Sequence, residues 1–476
     1  MKKRLIIFPA VTMGILLYTT LSFAYIDNMT SMSAEWARTG NRNAATDAAD
    51  IVAYNPAGVS ELPQGFHLNV YSLYQSQNRD FTTKEGAKSV RYGEDDVNNL
   101  FPGCSGVFNI NKWSVFGGID IPNGETVRRY KGGSLVTHLA GRTILASPIH
   151  NADYNILTDA LTSGLSQPPH SFIRIGDDGS GDKYVYKDLA NSYYEEKGQF
   201  HISTLGVAYR FGDAFSLALG IRHANADLST KAGVSVSGLS DDALVMNSFS
   251  PGFFPESVSF ESSRDMIAWG TGGIIGININ AGDSLNIAAQ IQTPVKIVER
   301  VEIHKDELHI FSVDEKQRKD LPGMAALGFG YDFSKKIYGE FNVNYWPQGS
   351  VDWERYGAYN RAELAGDVWR SGTTLSYRLT KMLLVSGGTS YTHYDRDALS
   401  TYTDAGPGLS ENLFTDNLFV GTGFSFAFVR NIKFNFGISH TFYKKRAFSM
   451  ESRNSSFDVS SENDSTIIAF GVDMSL

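Results

Sequence analysis

The chain of 476 residues is 42% hydrophobic and carries 30 Phe, 23 Tyr and 6 Trp, more apolar surface than a disordered polypeptide has. Its single cysteine, Cys104, excludes an intrachain disulfide framework and a cysteine-rich zinc site. A net charge of −9 at pH 7 leaves no electrostatic footprint for nucleic acid.

Met1-Lys2-Lys3-Arg4 opens the chain with positive charge, residues 5–23 are mostly apolar, and Ser22-Phe23-Ala24 sets small residues where signal peptidase cuts. Residues 1–24 therefore read as a signal peptide cleaved after Ala24. The stretch is also long enough for a retained anchor; Pro9 and the Ser-x-Ala end favour cleavage. Loss of Lys2, Lys3 and Arg4 leaves an exported chain more acidic than its precursor. No later run approaches the roughly 20 apolar residues of a membrane helix, so a secreted protein, a periplasmic protein or an outer-membrane barrel remains.

Residues 25–65 are rich in small side chains, Ala44-Ala45-Thr46-Asp47-Ala48-Ala49-Asp50, followed by Tyr54-Asn55-Pro56-Ala57-Gly58. Taken alone, Asn55, Pro56, Ala57 and Gly58 spell a turn. Strand signals begin near Phe66 and run to Leu476. Ala325, Leu327, Phe329, Tyr331 and Phe333 alternate with Met324, Ala326, Gly328, Gly330 and Asp332; Phe341 and Val343 alternate with Glu340, Asn342 and Asn344. Near the end, Ile432, Phe434, Phe436 and Ile438 alternate with Lys433, Asn435, Gly437 and Ser439. A period of two puts these sets on opposite faces of a strand. Segments of about 10 residues suit a tilted membrane strand, and a face of Gly, Ser, Asn, Asp and Lys suits a lumen rather than a sandwich core.

Short connections at 109–111, 212–213, 281–283, 334–335, 380–381 and 430–431 alternate with long ones at about 81–100, 125–198, 230–262, 303–320, 348–365, 397–414 and 449–463. Such a rhythm belongs to outer-membrane barrels, short turns inside and long loops outside, and thirteen connections give fourteen strands. The expected fold is all-β: a fourteen-stranded antiparallel transmembrane β-barrel over 66–476, with residues 25–65 as a mostly helical hatch in its lumen. Loops 125–198 and 230–262 are the longest.

The order of several motifs resembles the FadL-type long-chain fatty-acid transporters of Gram-negative outer membranes. Asn41-Arg42-Asn43-Ala44-Ala45 with Tyr54-Asn55-Pro56-Ala57-Gly58 resembles their hatch. Phe116-Gly117-Gly118-Ile119-Asp120-Ile121-Pro122-Asn123-Gly124 resembles their third strand. Leu321-Pro322-Gly323-Met324, Asn344-Tyr345-Trp346 and Asp367-Val368-Trp369-Arg370 resemble their late hairpins. The chain departs from the family in ending with Leu476 instead of Phe, which bears on recognition by the barrel-assembly machinery, and in the length of 125–198.

The resemblance implies passive uptake of a hydrophobic small molecule, a long-chain fatty acid or a hydrocarbon, by a monomer in contact with outer-membrane lipid. Loop capture, hatch movement and sideways exit at a kinked third strand are the implied steps. Gly117, Gly118 and Pro122 suit the kink, the alternative being that they merely relieve packing or end the strand. Leu157 and Leu161 fall on one side of an expected loop helix, and Leu244, Met246, Phe253 and Phe254 form an apolar cluster in the next loop. These residues line a capture groove or pack the two loops together. Arg128 and Arg129 follow the third strand and either meet a carboxylate or form a solvated charge cluster. Within the class, import of aromatic or alkane hydrocarbons is the alternative; a general porin or a barrel lipase is the alternative outside it. No Ser/His pair at readable spacing, calcium loop or dinucleotide fingerprint is complete, so neither catalysis nor a cofactor is expected.

Overall fold

In the computed structural model the described residues are 31–476, apart from 86, 95–96, 123–126, 146–185, 250, 253, 309–319, 353–354, 357–358, 361–365, 396–414 and 453–454. The signal peptide expected at 1–24 lies outside them.

Period-two patterning becomes alternating exposure. Leu327, Phe329, Tyr331 and Phe333 point outward and are exposed, whereas Met324 and Ala326 point inward and are buried. The same holds for Phe341 against Glu340 and Asn342, and for Phe434 and Ile438 against Asn435 and Ser439. An exposed apolar belt of this extent is what a lipid-facing barrel wall presents.

The wall strands are β1 (Gly65–Glu85), β2 (Val97–Ile110), β3 (Trp113–Asp120), β4 (Tyr186–Phe211), β5 (Phe215–Leu239), β6 (Ser257–Ala281) and β7 (Leu285–Gln292). They continue as β8 (Met324–Ser334), β9 (Ile337–Trp346), β10 (Asp367–Arg378), β11 (Leu383–Asp395), β12 (Asn417–Val429), β13 (Ile432–Tyr443) and β14 (Ser455–Ser475). Each pairs antiparallel with the next, and β14 pairs with β1, so the fourteen strands close into one ring. At the seam Phe66 N donates to Leu476 O at 3.0 Å and Leu476 N donates to Phe66 O at 2.8 Å. Closure leaves no free edge at the seam between first and last strands.

All six expected short turns join consecutive strands. At the other end the ladders reach further than the sequence reading allowed. Residues 186–198, 230–239 and 257–262, read as loop, are paired strand. Short ladders at Lys88–Gly93, Val127–Tyr130, Val298–Asp306 and Arg446–Ser452 lengthen the wall in the same direction. Backbone pairing continues there without an apolar outer face to announce it, as in Glu195-Glu196-Lys197 opposite Ser229-Thr230-Lys231. Two helices accompany these ends, α2 (Leu135–Leu145) and α3 (Asp241–Phe249).

Residues 31–64 run inside the ring. Helix α1 (Ala34–Thr39) starts at Ser33, whose Oγ accepts from Trp36 N at 3.0 Å, and stops at Gly40, which takes φ 69°. Beyond it only Ala49–Ala53 and Gly58–Glu61 are helical, both 3-10 turns. The alanine-rich stretch stays non-helical because its backbone is engaged by the wall: Asn43 N donates to Asn342 Oδ1 at 3.1 Å and Ala44 N to Glu340 Oε1 at 2.8 Å. Among the described residues, three apolar clusters fill the interior. One surrounds Trp36, Tyr54, Tyr71 and Phe101, one surrounds Ile51, Val59 and Phe116, and the largest lies toward the lengthened strand ends around Phe81, Tyr130, Tyr194, Phe200 and Met266.

Candidate functional site

The inner segment is fixed to the wall chiefly by neutral amides. Asn55 Nδ2 donates to Asn278 Oδ1 of β6 at 2.8 Å and to Ala45 O at 3.1 Å, while its Oδ1 accepts from Gly58 N at 3.0 Å. A side chain at Gly58 would run into the Asn55 amide, so the turn requires glycine there. Ala57 O accepts from Ser216 Oγ of β5 at 2.9 Å, and Pro56 packs where Gly276 leaves room. Farther round the ring, Asn109 Nδ2 holds Val59 O and Leu62 O, and Asn435 Oδ1 accepts from Arg38 Nη1 at 2.8 Å.

Charge is concentrated within the segment itself. Arg42 lies between Asp50 (Nη2 to Oδ1 2.6 Å) and Asp47 (Nη2 to Oδ1 2.8 Å), and Ser33 Oγ donates to Asp50 Oδ2 at 2.7 Å. Glu35 is buried beside them; its Oε1 accepts from Asn69 Nδ2 at 3.1 Å. Burial, then the charges of Asp473 and Asp50, push the Glu35 carboxyl well above the usual carboxylate range.

The third strand leaves the wall. In β3, Trp113, Val115 and Ile119 face out, and Phe116 and Asp120 face in. Alternation should turn Ile121 outward, yet Ile121 is 5% exposed, against 50% for Ile119. It packs in the cluster of Trp36, Tyr54, Tyr71 and Phe101. Three successive buried residues, Asp120, Ile121 and Pro122, mark the chain turning into the lumen. The ladder breaks at the same place. Pairing with β2 ends at Cys104–Ile119 and pairing with β4 at Ile202–Asp120; among the described residues, the next pair with β4 is Val127–Lys197. Among the described residues, Val97–Gly103 of β2 pairs with β1 alone. The bend is tethered, because Asp120 Oδ2 accepts a hydrogen bond from Ser31 Oγ.

Gly117 and Gly118 precede this break and are paired on both sides, with Gly106 and Leu205 and with Ser105 and Thr204. Pro122 is buried at the break itself. Leu244 on α3 is exposed, whereas Phe254 is buried, with its backbone N and O bonded to the Asn247 amide at 2.8 Å each. Met246 lies on the same helix; Phe253, Leu157 and Leu161 fall outside the described residues. Arg128 points inward to Glu196 at 4.0 Å, and Arg129 points outward to Glu195, Nε to Oε1 2.8 Å. Both are committed to glutamates of β4.

Three features escaped the sequence reading. Helix α2 packs Leu135 and the half-buried Ala140, Ile144 and Leu145 on the largest apolar cluster, with Ser134 and Thr137 bonded to each other at its start. The Ser31–Asp120 tether leaves no sequence trace. Arg222, on the inner face of β5, is 5% exposed.

No protein-family model and no curated sequence matches the chain. Solved structures do match in fold. The crystal structure of the P. putida toluene transporter TodX aligns with TM-score 0.56 at 11% identity, over 94% of this chain and 99% of that one. A Pseudomonas aeruginosa FadL homologue aligns with TM-score 0.58 at 12% identity, over 94% and 99%. The Ralstonia pickettii toluene transporter TbuX aligns with TM-score 0.52 at 13% identity, over 93% and 98%. The chain therefore has the fold of the FadL-type barrels, as the motif order implied.

Proposed function

We propose that this protein is an outer-membrane channel for passive uptake of hydrophobic compounds, long-chain fatty acids in particular. The observation that carries the reading is the inward turn of the third strand after Asp120, which leaves the wall unpaired beside Val97–Gly103 while the bore holds the segment 31–64. A path through the wall suits an apolar solute. Leaving an apolar environment for water costs about 25 cal/mol per Å² of exposed surface, and an exit into lipid avoids that cost. The apolar cluster around Phe81, Phe200 and Met266 supplies a waiting room of the same character.

In this reading residues 25–65 are a hatch, and Asn55, Pro56, Ala57 and Gly58 are its docking turn. Loop residues, Leu244 and Phe254 among them, deliver ligand from outside. Pro122 marks the side exit. Import of aromatic hydrocarbons is the second reading, supported by the naming of TodX and TbuX as toluene transporters. Uptake of oleate, a long alkane and toluene in a transporter-null host tests the proposal. Oleate accumulation above the empty-host level is expected; no gain for any of the three compounds overturns it. Large ion conductance of the intact protein in planar bilayers would favour a porin instead.

A further inference from the structure

We propose that Arg222 is a receptor for the carboxylate of an acid with an apolar body, set beside the opening in the third strand; this rests on the uptake reading above. Arg222 sits on the inner face of β5 between the exposed Ile221 and His223, with 5% of its surface accessible. Its cross-strand neighbours are Thr204 on β4 and Gly272 on β6, and Thr204 in turn lies opposite Gly118. The next inward row is Asp120, Ile202, Ala224 and Gly270. Apart from Asp120, the side chains of this row are small or apolar and offer the guanidinium no hydrogen-bond acceptor. Among the described residues no hydrogen bond or ion pair engages that guanidinium. The charge felt most directly is that of Asp120, whose Oδ2 is already taken by Ser31 Oγ.

A guanidinium removed from water without a direct partner is costly, and an incoming carboxylate relieves that cost. The planar fork of arginine matches a carboxylate in two parallel hydrogen bonds, a match that an alkane or an arene cannot make. Because Asp120 terminates the paired part of β3, the carboxylate that competes for Arg222 belongs to the bend itself. An acid held here has its head at the opening while its tail lies among Ile202, Ala224 and Phe116. The arrangement selects an acid over a hydrocarbon.

The test compares binding of oleate and methyl oleate to the purified full-length protein in detergent. For R222Q we expect oleate to weaken about tenfold or more, the range of one hydrogen bond to a charged group, while methyl oleate is unchanged. R222K recovers part of the oleate affinity, and D120N, which removes the competing carboxylate, tightens oleate alone. Equal loss of both ligands in R222Q, or no change in either, overturns the inference. Should R222Q fail to fold, D120N decides: unchanged oleate affinity overturns the inference. Wild-type protein that binds neither ligand sinks the uptake reading as well, whereas binding of both without discrimination by these variants sinks only the role of Arg222.

Discussion

Asn55 of the inner segment and Asn278 of β6 are joined by a hydrogen bond of 2.8 Å, although 223 residues separate them in sequence. Asn278 Oδ1 also accepts from Asn286 Nδ2 at 3.0 Å, so the amides of two adjacent strands converge on one turn. Removing Asn55 takes one of two donors from the buried Asn278 Oδ1 and breaks two bonds inside the turn. Such losses cost about 1–3 kcal/mol each. N55A is expected to raise single-channel ion conductance in planar bilayers while the barrel itself remains folded. N278A should do the same, and N55A/N278A should add little beyond either change, since both remove one contact. Conductance at the wild-type level in both single variants would show that this contact does not hold the hatch.

Within the inner segment, one buried carboxyl stands well above its ordinary value and ties the seating of that segment to pH. Glu35 is raised above its ordinary value by burial and by the charges of Asp473 and Asp50. A carboxyl raised in the docked state binds its proton more tightly there than in the released state. Docking is therefore strongest in acid, below the ordinary glutamate value of about 4.3, and weakens as pH rises from there through the raised value. E35Q keeps an acceptor for Asn69 and removes the charge. It should flatten the pH dependence and strengthen docking at neutral pH, measured by the emission of Trp36 and by conductance between pH 4 and 9.

Close packing gives an independent test. A methyl group at Gly421 of β12 would stand 2.5 Å from Ala37 O, in the backbone of α1, whereas one at Gly387 of β11 would meet nothing nearer than 3.5 Å. G421A should thus cost about 1–3 kcal/mol through overpacking, and G387A should be neutral. Both are read from the temperature at which the folded form is lost on unheated gels. Equal behaviour of the two variants contradicts the tight seat of α1.

What the sequence made legible follows from the reach of a periodic signal. Leu327, Phe329 and Phe434 are apolar because lipid faces them, and their spacing of two reveals both the strand and its outer face. The long ladder at 186–198 has no such signal: Glu195 meets Arg129 outside and Glu196 meets Arg128 inside, so both faces are charged and pairing is carried by the backbone alone. Arg222 stayed hidden for a related reason. One arginine at a lumen position reads like Lys433 or the equally buried Arg264, and only the lack of a direct partner among the described residues sets it apart. The bend was legible as a place, with its cause displaced by a few residues. Gly117 and Gly118 looked like the hinge, but they remain in the ladder, and the departure follows Asp120.

That displacement leads to the last prediction. Continuing the β2–β3 register, in which Cys104 faces Ile119, would set Gly103 opposite Asp120 and Pro102 opposite Ile121, with Pro122 next. Two prolines thus stand where the ladder stops, and neither has an N–H to give. P102V/P122V restores both donors and a β-branched preference for extended backbone. The double variant is expected to pair further along this seam and to cut oleate uptake in a transporter-null host severalfold, with conductance and folding unchanged. By contrast G117A, whose added methyl would lie 3.2 Å from Thr204 O, changes a residue still within the ladder and should leave uptake near wild type. If G117A abolishes uptake and P102V/P122V does not, the exit is governed by the glycines, and the break after Asp120 is only where the strand ends.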